Sequence, residues 1–387
     1  MKILHTVEFY SPSVGGAQEV VRQLSERMAA MGHDVTVATT ALQERKAKVI
    51  KGVKIAEFKV SGNEVVGIKG EAKKYQDFLL GSNFDVVMNY AAQQWTTDLT
   101  FPILDKIGAK KILVPCGFSG LYNPDYAEYF KKLPPILRKY DATVYLSSNY
   151  RDINFARKHK LKNIHLITNA ADEVEFNDLA DIRNFKARFG IKHYFILTVG
   201  SHTGNKGHEE AIEVLKKFPL PATLMIIGNP VNRGCYVYCR TAATEINASS
   251  SFPYKKILVL DLPRSETVAA MKSADVLLFL SNIEASPFVL FEAAAAGLPF
   301  ISTNAGNSEE IARWTGGGLI TKTDPDVEVS GQVIARTDPT LKLLLRLRLN
   351  PLLRHRLGRQ GRSAWQSRFT WERVTKQYLK LYEELLR

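Results

Sequence analysis

The sequence predicts an α/β protein built from two doubly wound parallel-sheet halves. Three observations carry this. Short segments rich in Val, Ile and Leu alternate with helical patterns along most of the chain, the signature of parallel strands covered on both faces. The alternation stops at a polar stretch near Asn169–Asp178 and then restarts. The length of 387 residues suits about two domains by the usual size range.

In the first half, KILHT (2–6) reads as a core strand. AQEVVRQLSERMAAMG follows as an amphipathic helix stopped by Gly32, glycine being the usual residue just past a helix end. DVTVATT (34–40), VKIAEFKV (53–60), FDVVMNY (84–90), KKILVP (110–115), ATVYLSS (142–148) and NIHLITN (163–169) continue the strand series. After the break, DLADIRNFKARFG reads as helix. YFILTVG (194–200), ATLMIIG (222–228), KKILVL (255–260), ADVLLFL (274–280) and LPFIST (298–303) are the strands of the second half. The expected boundaries are 1–170 and 171–370, with the final helix at 371–387 crossing back to the first half.

Composition narrows the class. At 45% hydrophobic and 24% charged the chain reads as globular, and no apolar run approaches the roughly 18–20 residues of a membrane span. MKILHTVEFYSP reads as a strand rather than a secretory signal, so cytoplasmic residence is expected. The 52 Lys and Arg outnumber 39 Asp and Glu, a net charge of +13 that favours an anionic partner. No nucleic-acid motif accompanies the charge, so nucleic acid is not expected as that partner. Cys116, Cys235 and Cys239 imply no disulfide framework. Cys235 and Cys239 lie four apart with no Cys or His pair close in sequence, and the expectation is core packing rather than a metal.

Open parallel sheets bind ligands at the carboxyl ends of their strands, so the loops that follow strands are where chemistry belongs. Gly15 and Gly16 precede the first helix and allow close backbone approach of an anion to its N-terminus; the plainer reading is a loop leading into a helix. In TVGSHTGNKGHEEAI, Lys206 sits just before a helix and is a candidate point charge for a phosphate, or a solvated surface lysine. In SNIEASPFVLFEAAAAGLP, a helix starts near Pro287 or Phe288 and is stopped by Gly297 and Pro299. Glu284 falls in the loop and Glu292 just over one turn inside the helix. The first-turn N–H groups of Phe288, Val289 and Leu290 lie between them and could receive a diphosphate. Helix-dipole stabilisation of Glu292 and simple exposure of Glu284 are the structural alternatives. Glu309 and Glu310 open the next helix and read as structural. Asp324–Asp326 has an acid-x-acid spacing attributed to chance, so no metal site is expected.

Taken together, Glu284-x7-Glu292 with AAAAGLPFISTNAGNSEEI, TVGSHTGNKGHEEAIEVL, SVGGAQEVVRQLSERMAAMGHDVTVAT and LITNAADEVEF resemble the family 4 retaining glycosyltransferases of GT-B fold, in family order and over most of the chain. The resemblance implies two Rossmann-like domains facing across a cleft, with the first binding the acceptor and the second a nucleotide-diphosphate sugar. It places Glu292 on the ribose diol and Glu284 on sugar hydroxyls. The backbone of Phe288 and Val289, with Pro287 beside them, would bind the diphosphate, joined by Lys206 and by Gly15 and Gly16. Ser201, His202 and Gly228 complete the donor-side set. Transfer would retain configuration without a metal, by same-face attack in which the leaving phosphate helps take the acceptor proton. The chain departs from the family pattern at several points. Ser201 stands where the family has an Arg, and His202 is the candidate replacement cation. Cys116 and Gly117 occupy the loop where many members carry a His. Asn307 and Ala170 replace glycines.

The implied acceptor is a glycan or lipid-linked saccharide, in keeping with surface polysaccharide synthesis. DYAEYFKKLPPILRKYD (125–141) is basic with interleaved aromatics, which fits either a peripheral helix on the anionic inner face of the cell membrane or an ordinary solvated helix. LKLLLRLRLNPLLRHRLGRQGR is expected to pack its leucines inward with arginines outward. A nucleotide-sugar epimerase or hydrolase of the same fold, and a non-catalytic nucleotide-sugar binding protein, remain the alternatives.

Overall fold

The computed structural model describes residues 1–177, 184–324 and 332–387. The start of the expected DLADIRNFKARFG helix and the Asp178 end of the expected boundary lie outside the described residues, as does Asp326 of the acid-x-acid spacing. The chain forms two compact units, Met1–Asn169 with Trp371–Arg387, and Ala170–Thr370.

The first unit is built on β1 (Lys2–Thr6), β2 (Asp34–Thr40), β3 (Val49–Ile50) and β4 (Val53–Phe58), with a small separate hairpin of β5 (Val60–Ser61) and β6 (Lys69–Gly70). β7 (Val86–Tyr90), β8 (Lys110–Val114), β9 (Ala142–Tyr145) and β10 (Ile164–Leu166) follow. The main sheet runs β10-β9-β8-β7-β1-β2-β4-β3, and its pairings are parallel except at the β3–β4 edge. The expected VKIAEFKV strand therefore ends at Phe58, and Val60 pairs instead in the hairpin.

His5 ties this unit together. It is fully buried on β1; its Nδ1 lies 2.8 Å from Ser25 Oγ on the Gly16–Ala30 helix and its Nε2 3.1 Å from Tyr382 Oη on the Trp371–Leu386 helix. That last helix buries Trp371, Val374, Tyr378, Leu381 and Tyr382 at helical spacing. Its apolar stripe is thus spent in the core of the first unit.

The second unit contains β11 (Tyr194–Val199), β12 (Ala222–Ile227), β13 (Lys255–Leu260), β14 (Val276–Phe279), β15 (Phe300–Ser302) and β16 (Gly318–Ile320). All its pairings are parallel, in the order β13-β12-β11-β14-β15-β16. Successive residues of β11 point to opposite faces: Phe195 and Leu197 join one core with Leu290, Phe291 and Trp365, while Ile196 joins another with Leu215, Phe218 and Cys239. Strand order reverses direction between β11 and β14, where ligands bind in sheets of this kind.

The basic C-terminal run forms helices Thr337–Leu349 and Pro351–Arg368. Leu344, Leu347, Leu353 and Leu357 pack inward as expected, whereas Leu349 and Leu352 are exposed.

Burial lowers the His5 pKa from 6.5 to about 3, so the ring enters the folded unit neutral. Between those values the unfolded chain binds the extra proton, and stability falls as pH drops through that window. Urea midpoints measured from pH 7 down to pH ~4 should decline less steeply in His5→Gln than in the parent; parallel slopes would remove His5 as a contributor.

Candidate functional site

The loops after β11 and β14 flank the reversal point of the second sheet. The first carries Ser201, His202 and Lys206; the second carries Glu284. They are stitched together: Asn282 N–H donates to Asn205 O at 2.9 Å, Ser281 Oγ lies 3.0 Å from the same carbonyl, and Thr303 Oγ1 after β15 donates to Ser281 O at 2.6 Å.

Gly207 makes the first loop's path possible. It sits in the left-handed region at φ +68°, and a Cβ there would lie 2.0 Å from Leu280 O. Gly228, at the end of β12, is required for a different reason: a Cβ would meet Gly200 O at 1.9 Å. The strand ends can close on one another only without side chains at these points.

Lys206 Nζ donates to Glu284 Oε1 at 2.5 Å, and Ser281 Oγ donates to the same oxygen at 2.8 Å. The lysine side chain is 26% exposed and the glutamate 13%, so the pair is largely removed from water. The residues expected to grip phosphate and sugar separately are thus in contact with each other.

The helix predicted from the sequence runs Phe288–Ala296, with Pro287 at its N-cap and Gly297 left-handed at its end. Its first turn begins four residues after Glu284, and Glu292 follows one turn further in. One expected donor is already engaged: Leu290 N–H donates to Pro287 O at 3.4 Å.

Sequence reasoning missed Arg264. It opens the helix after β13 and donates through Nη2 to Glu292 Oε1 at 2.5 Å and to Glu175 Oε2 at 2.7 Å. Partial burial works against its charge, but the two carboxylates outweigh that and raise its pKa. Glu292 therefore has a fixed partner on one side. Its separation from Arg264 by 28 residues left no local pattern to find.

His202, the expected replacement cation, is turned inward. It is fully buried, and burial lowers its pKa despite a weaker upward pull from Asp261. Its ring lies in a T-shaped contact 4.6 Å from His208, and its Nδ1 is 3.5 Å from Cys235 Sγ. The expectation that Cys235 and Cys239 have no histidine pair nearby is also overturned, since His202, His208, Cys235 and Cys239 converge. Adjacent parallel strands β11 and β12 bring their following segments together although they are far apart in sequence.

Gly15 and Gly16 belong to the first unit, at the start of the Gly16–Ala30 helix after β1. Gly15 is extended at φ −179°, which any residue adopts, and a side chain there would meet only the movable end of Gln18. The loop after β8 holds Cys116 and Phe118 at φ +59° and +48°. Asp152 anchors it by accepting from Gly117 N–H at 2.9 Å, and burial raises the Asp152 pKa to about 6 against those hydrogen bonds.

The 125–141 segment forms helix Ala127–Leu137, whose Tyr129, Phe130, Leu133 and Leu137 pack in the first unit's core. Its outer face is Glu128, Lys131 and Lys132, with Arg138 and Lys139 beyond the helix end. The apolar face that an in-plane helix would bury in lipid is already used. Among the described residues no helix is long and apolar enough to cross a membrane.

Residues 181–337 match the family described as Glycosyl transferases group 1. The N-acetyl-alpha-D-glucosaminyl L-malate synthase of Bacillus anthracis is 22% identical, covering 97% of this chain and 96% of that protein. Among solved structures, the sucrose-phosphate synthase of Thermosynechococcus elongatus matches with a TM-score of 0.78 at 17% identity, covering 99% of this chain and 98% of that one. Anabaena HepE in complex with UDP-glucose matches with a TM-score of 0.75 at 13% identity, covering 99% of this chain and 100% of that one.

The Arg264–Glu292 pair is partly shielded, lying between an exposed bridge worth about 0–1 kcal/mol and a buried one. A double-mutant cycle with Arg264→Gln and Glu292→Gln should give a coupling of about 1–2 kcal/mol in denaturant unfolding; additive losses would show that the contact is not energetically formed.

Proposed function

We propose that this chain, which has the GT-B fold, is a group 1 glycosyltransferase that moves a sugar from a nucleotide-diphosphate sugar to a hydroxylated acceptor with retention of configuration and without a metal at the diphosphate. The observation that carries this is the placement of Lys206 and Glu284 on the two loops that flank the β11–β14 reversal, beside the first turn of the Phe288–Ala296 helix.

As the glycosidic bond breaks, positive charge grows on the sugar and negative charge on the departing diphosphate. Lys206 and the first-turn N–H groups of Phe288 and Val289 stabilise the second, as fixed donors aimed at developing charge do elsewhere. A phosphate entering there takes the Lys206 ammonium from Glu284 and frees that carboxylate for sugar hydroxyls. Glu292, oriented by Arg264, accepts from the ribose diol. Arg264 also brings a second cation to this end of the sheet, where Ser201 leaves one lacking. Neither glutamate acts as a nucleophile, in contrast to the carboxylate pair of retaining glycosidases. The departing phosphate receives the acceptor proton on the face it leaves.

HepE was solved with UDP-glucose and the B. anthracis relative is named for an N-acetylglucosaminyl product, which makes UDP-glucose and UDP-N-acetylglucosamine the first donors to try. That relative's name also contains L-malate, so saccharides and small hydroxy acids both belong in the acceptor panel. The preferred acceptor class is a glycan or lipid-linked saccharide, supported by the family resemblance. Cytoplasmic residence is proposed on the same basis, and any membrane contact would be electrostatic, through the outer lysines of the Ala127–Leu137 helix.

A donor at about 100 times its Kd should raise stability by about 2.7 kcal/mol, read as a thermal shift. With the preferred donor, turnover should proceed with no added divalent cation and give product of the donor's anomeric configuration by NMR. Lys206→Ala should lower kcat by about 10²–10³ with the fold kept by circular dichroism. Glu292→Ala should act mainly by raising the donor KM. A folded Lys206→Ala with parental turnover, or a product of inverted configuration, would refute this reading.

A further inference from the structure

Four side chains of the second unit have no part in the chemistry above, yet they converge in its core. His202 and His208 bracket the loop that carries Lys206; Cys235 and Cys239 lie on the Arg233–Ala248 helix. Four residues apart, the cysteines share one helix face. We propose that His202, His208, Cys235 and Cys239 bind a zinc ion in a tetrahedral site of two nitrogens and two sulfurs.

One ligand atom from each residue can be chosen so that all four lie within 4.8 Å of one another, and this is the group of its kind among the described residues. Cys235 Sγ is 3.5 Å from His202 Nδ1 and 3.7 Å from His208 Nδ1. Zinc–sulfur and zinc–nitrogen bonds of about 2.3 and 2.1 Å at the tetrahedral angle give an S···N edge of about 3.6 Å. The side chains already stand close to that spacing.

The four residues are 0, 2, 7 and 0% exposed in sequence order. Nε2 of both histidines is buried with no hydrogen-bond partner. An unsatisfied buried polar atom costs about 1–3 kcal/mol, so hydrogen bonding does not explain why two imidazoles are held side by side here. Ligation of an ion through the Nδ1 atoms that face Cys235 Sγ gives that side-by-side placement a role. Two thiolates and two neutral rings balance a dication, so the buried centre carries no net charge. This donor set selects zinc over magnesium or calcium, which prefer oxygen.

The ion would be structural. It closes the segment between His202 and His208 and ties it to the Arg233–Ala248 helix, where Asn232 N–H already donates to His202 O at 2.5 Å. That holds the Lys206 loop in place without placing a metal at the diphosphate, and it stands whether or not the chain transfers sugar.

The test is metal quantification on the full chain, purified without chelator, incubated with zinc chloride and dialysed. One zinc per chain is expected. Exchange into cobalt should give the intense visible bands of a tetrahedral centre with sulfur-to-cobalt charge transfer. Cys239→Ala, its fold checked by circular dichroism, should bind zinc more weakly by over the roughly 10–100-fold that losing an outer-sphere partner costs. Cys116→Ser, which changes the cysteine of the other unit, should keep the ion. Folded parent protein with sub-stoichiometric zinc and no cobalt spectrum would overturn the proposal. So would unaltered affinity in Cys239→Ala, or equal loss of zinc in Cys116→Ser.

Discussion

The contact between Lys206 and Glu284 is the interaction on which the second unit's site depends. It spans the point where the sheet's connections diverge, between β11 and β14, and brings opposite charges to 2.5 Å in surroundings that exclude most water. A shielded ion pair is a weak source of stability, because desolvation offsets much of the attraction. Its value lies in geometry. The pair holds two loops in register and keeps a cation beside a helix start, where both favour an incoming anion. Glycine at 207 and 228 is the steric condition for this arrangement, since a Cβ at either position would strike a neighbouring backbone carbonyl.

Most of the fold was legible because buried parallel strands are continuous apolar runs, and those at 2–6, 34–40 and 255–260 match the structure to the residue. What escaped were two-residue pairings such as Val49–Ile50 and the late turn from β4 into the hairpin at Val60, which are set by tertiary pairing rather than pattern. In the site, the Phe288 helix and its flanking glutamates could be read from Pro287 and Gly297. The pairing of each with a cation could not. Arg264 reaches Glu292 from another strand's loop, and Lys206 meets Glu284 across 78 residues.

His202 shows the same limit more sharply. Beside Ser201 in a polar loop it reads as a candidate cation, yet the fold turns it inward against the helix that follows β12. A usable signal was present: two histidines in the loop after one strand and two cysteines a helical turn apart after the next. It becomes visible only when neighbouring parallel strands are assumed to bring their following segments together. The aromatic and basic run at 125–141 misled in the opposite direction. Its periodicity suits a membrane surface and a domain core equally, and Tyr129, Phe130 and Leu133 lie in the core.

On the proposed reading, a diphosphate occupies the β11–β14 reversal and takes Lys206 from Glu284. A crystal structure of the protein with a nucleoside diphosphate tests it most directly. Phosphate oxygens are expected within hydrogen-bond distance of Lys206 Nζ and of the first-turn N–H groups of the Phe288–Ala296 helix, with the ribose hydroxyls on Glu292. A nucleotide bound elsewhere, with Lys206 still on Glu284, would contradict it.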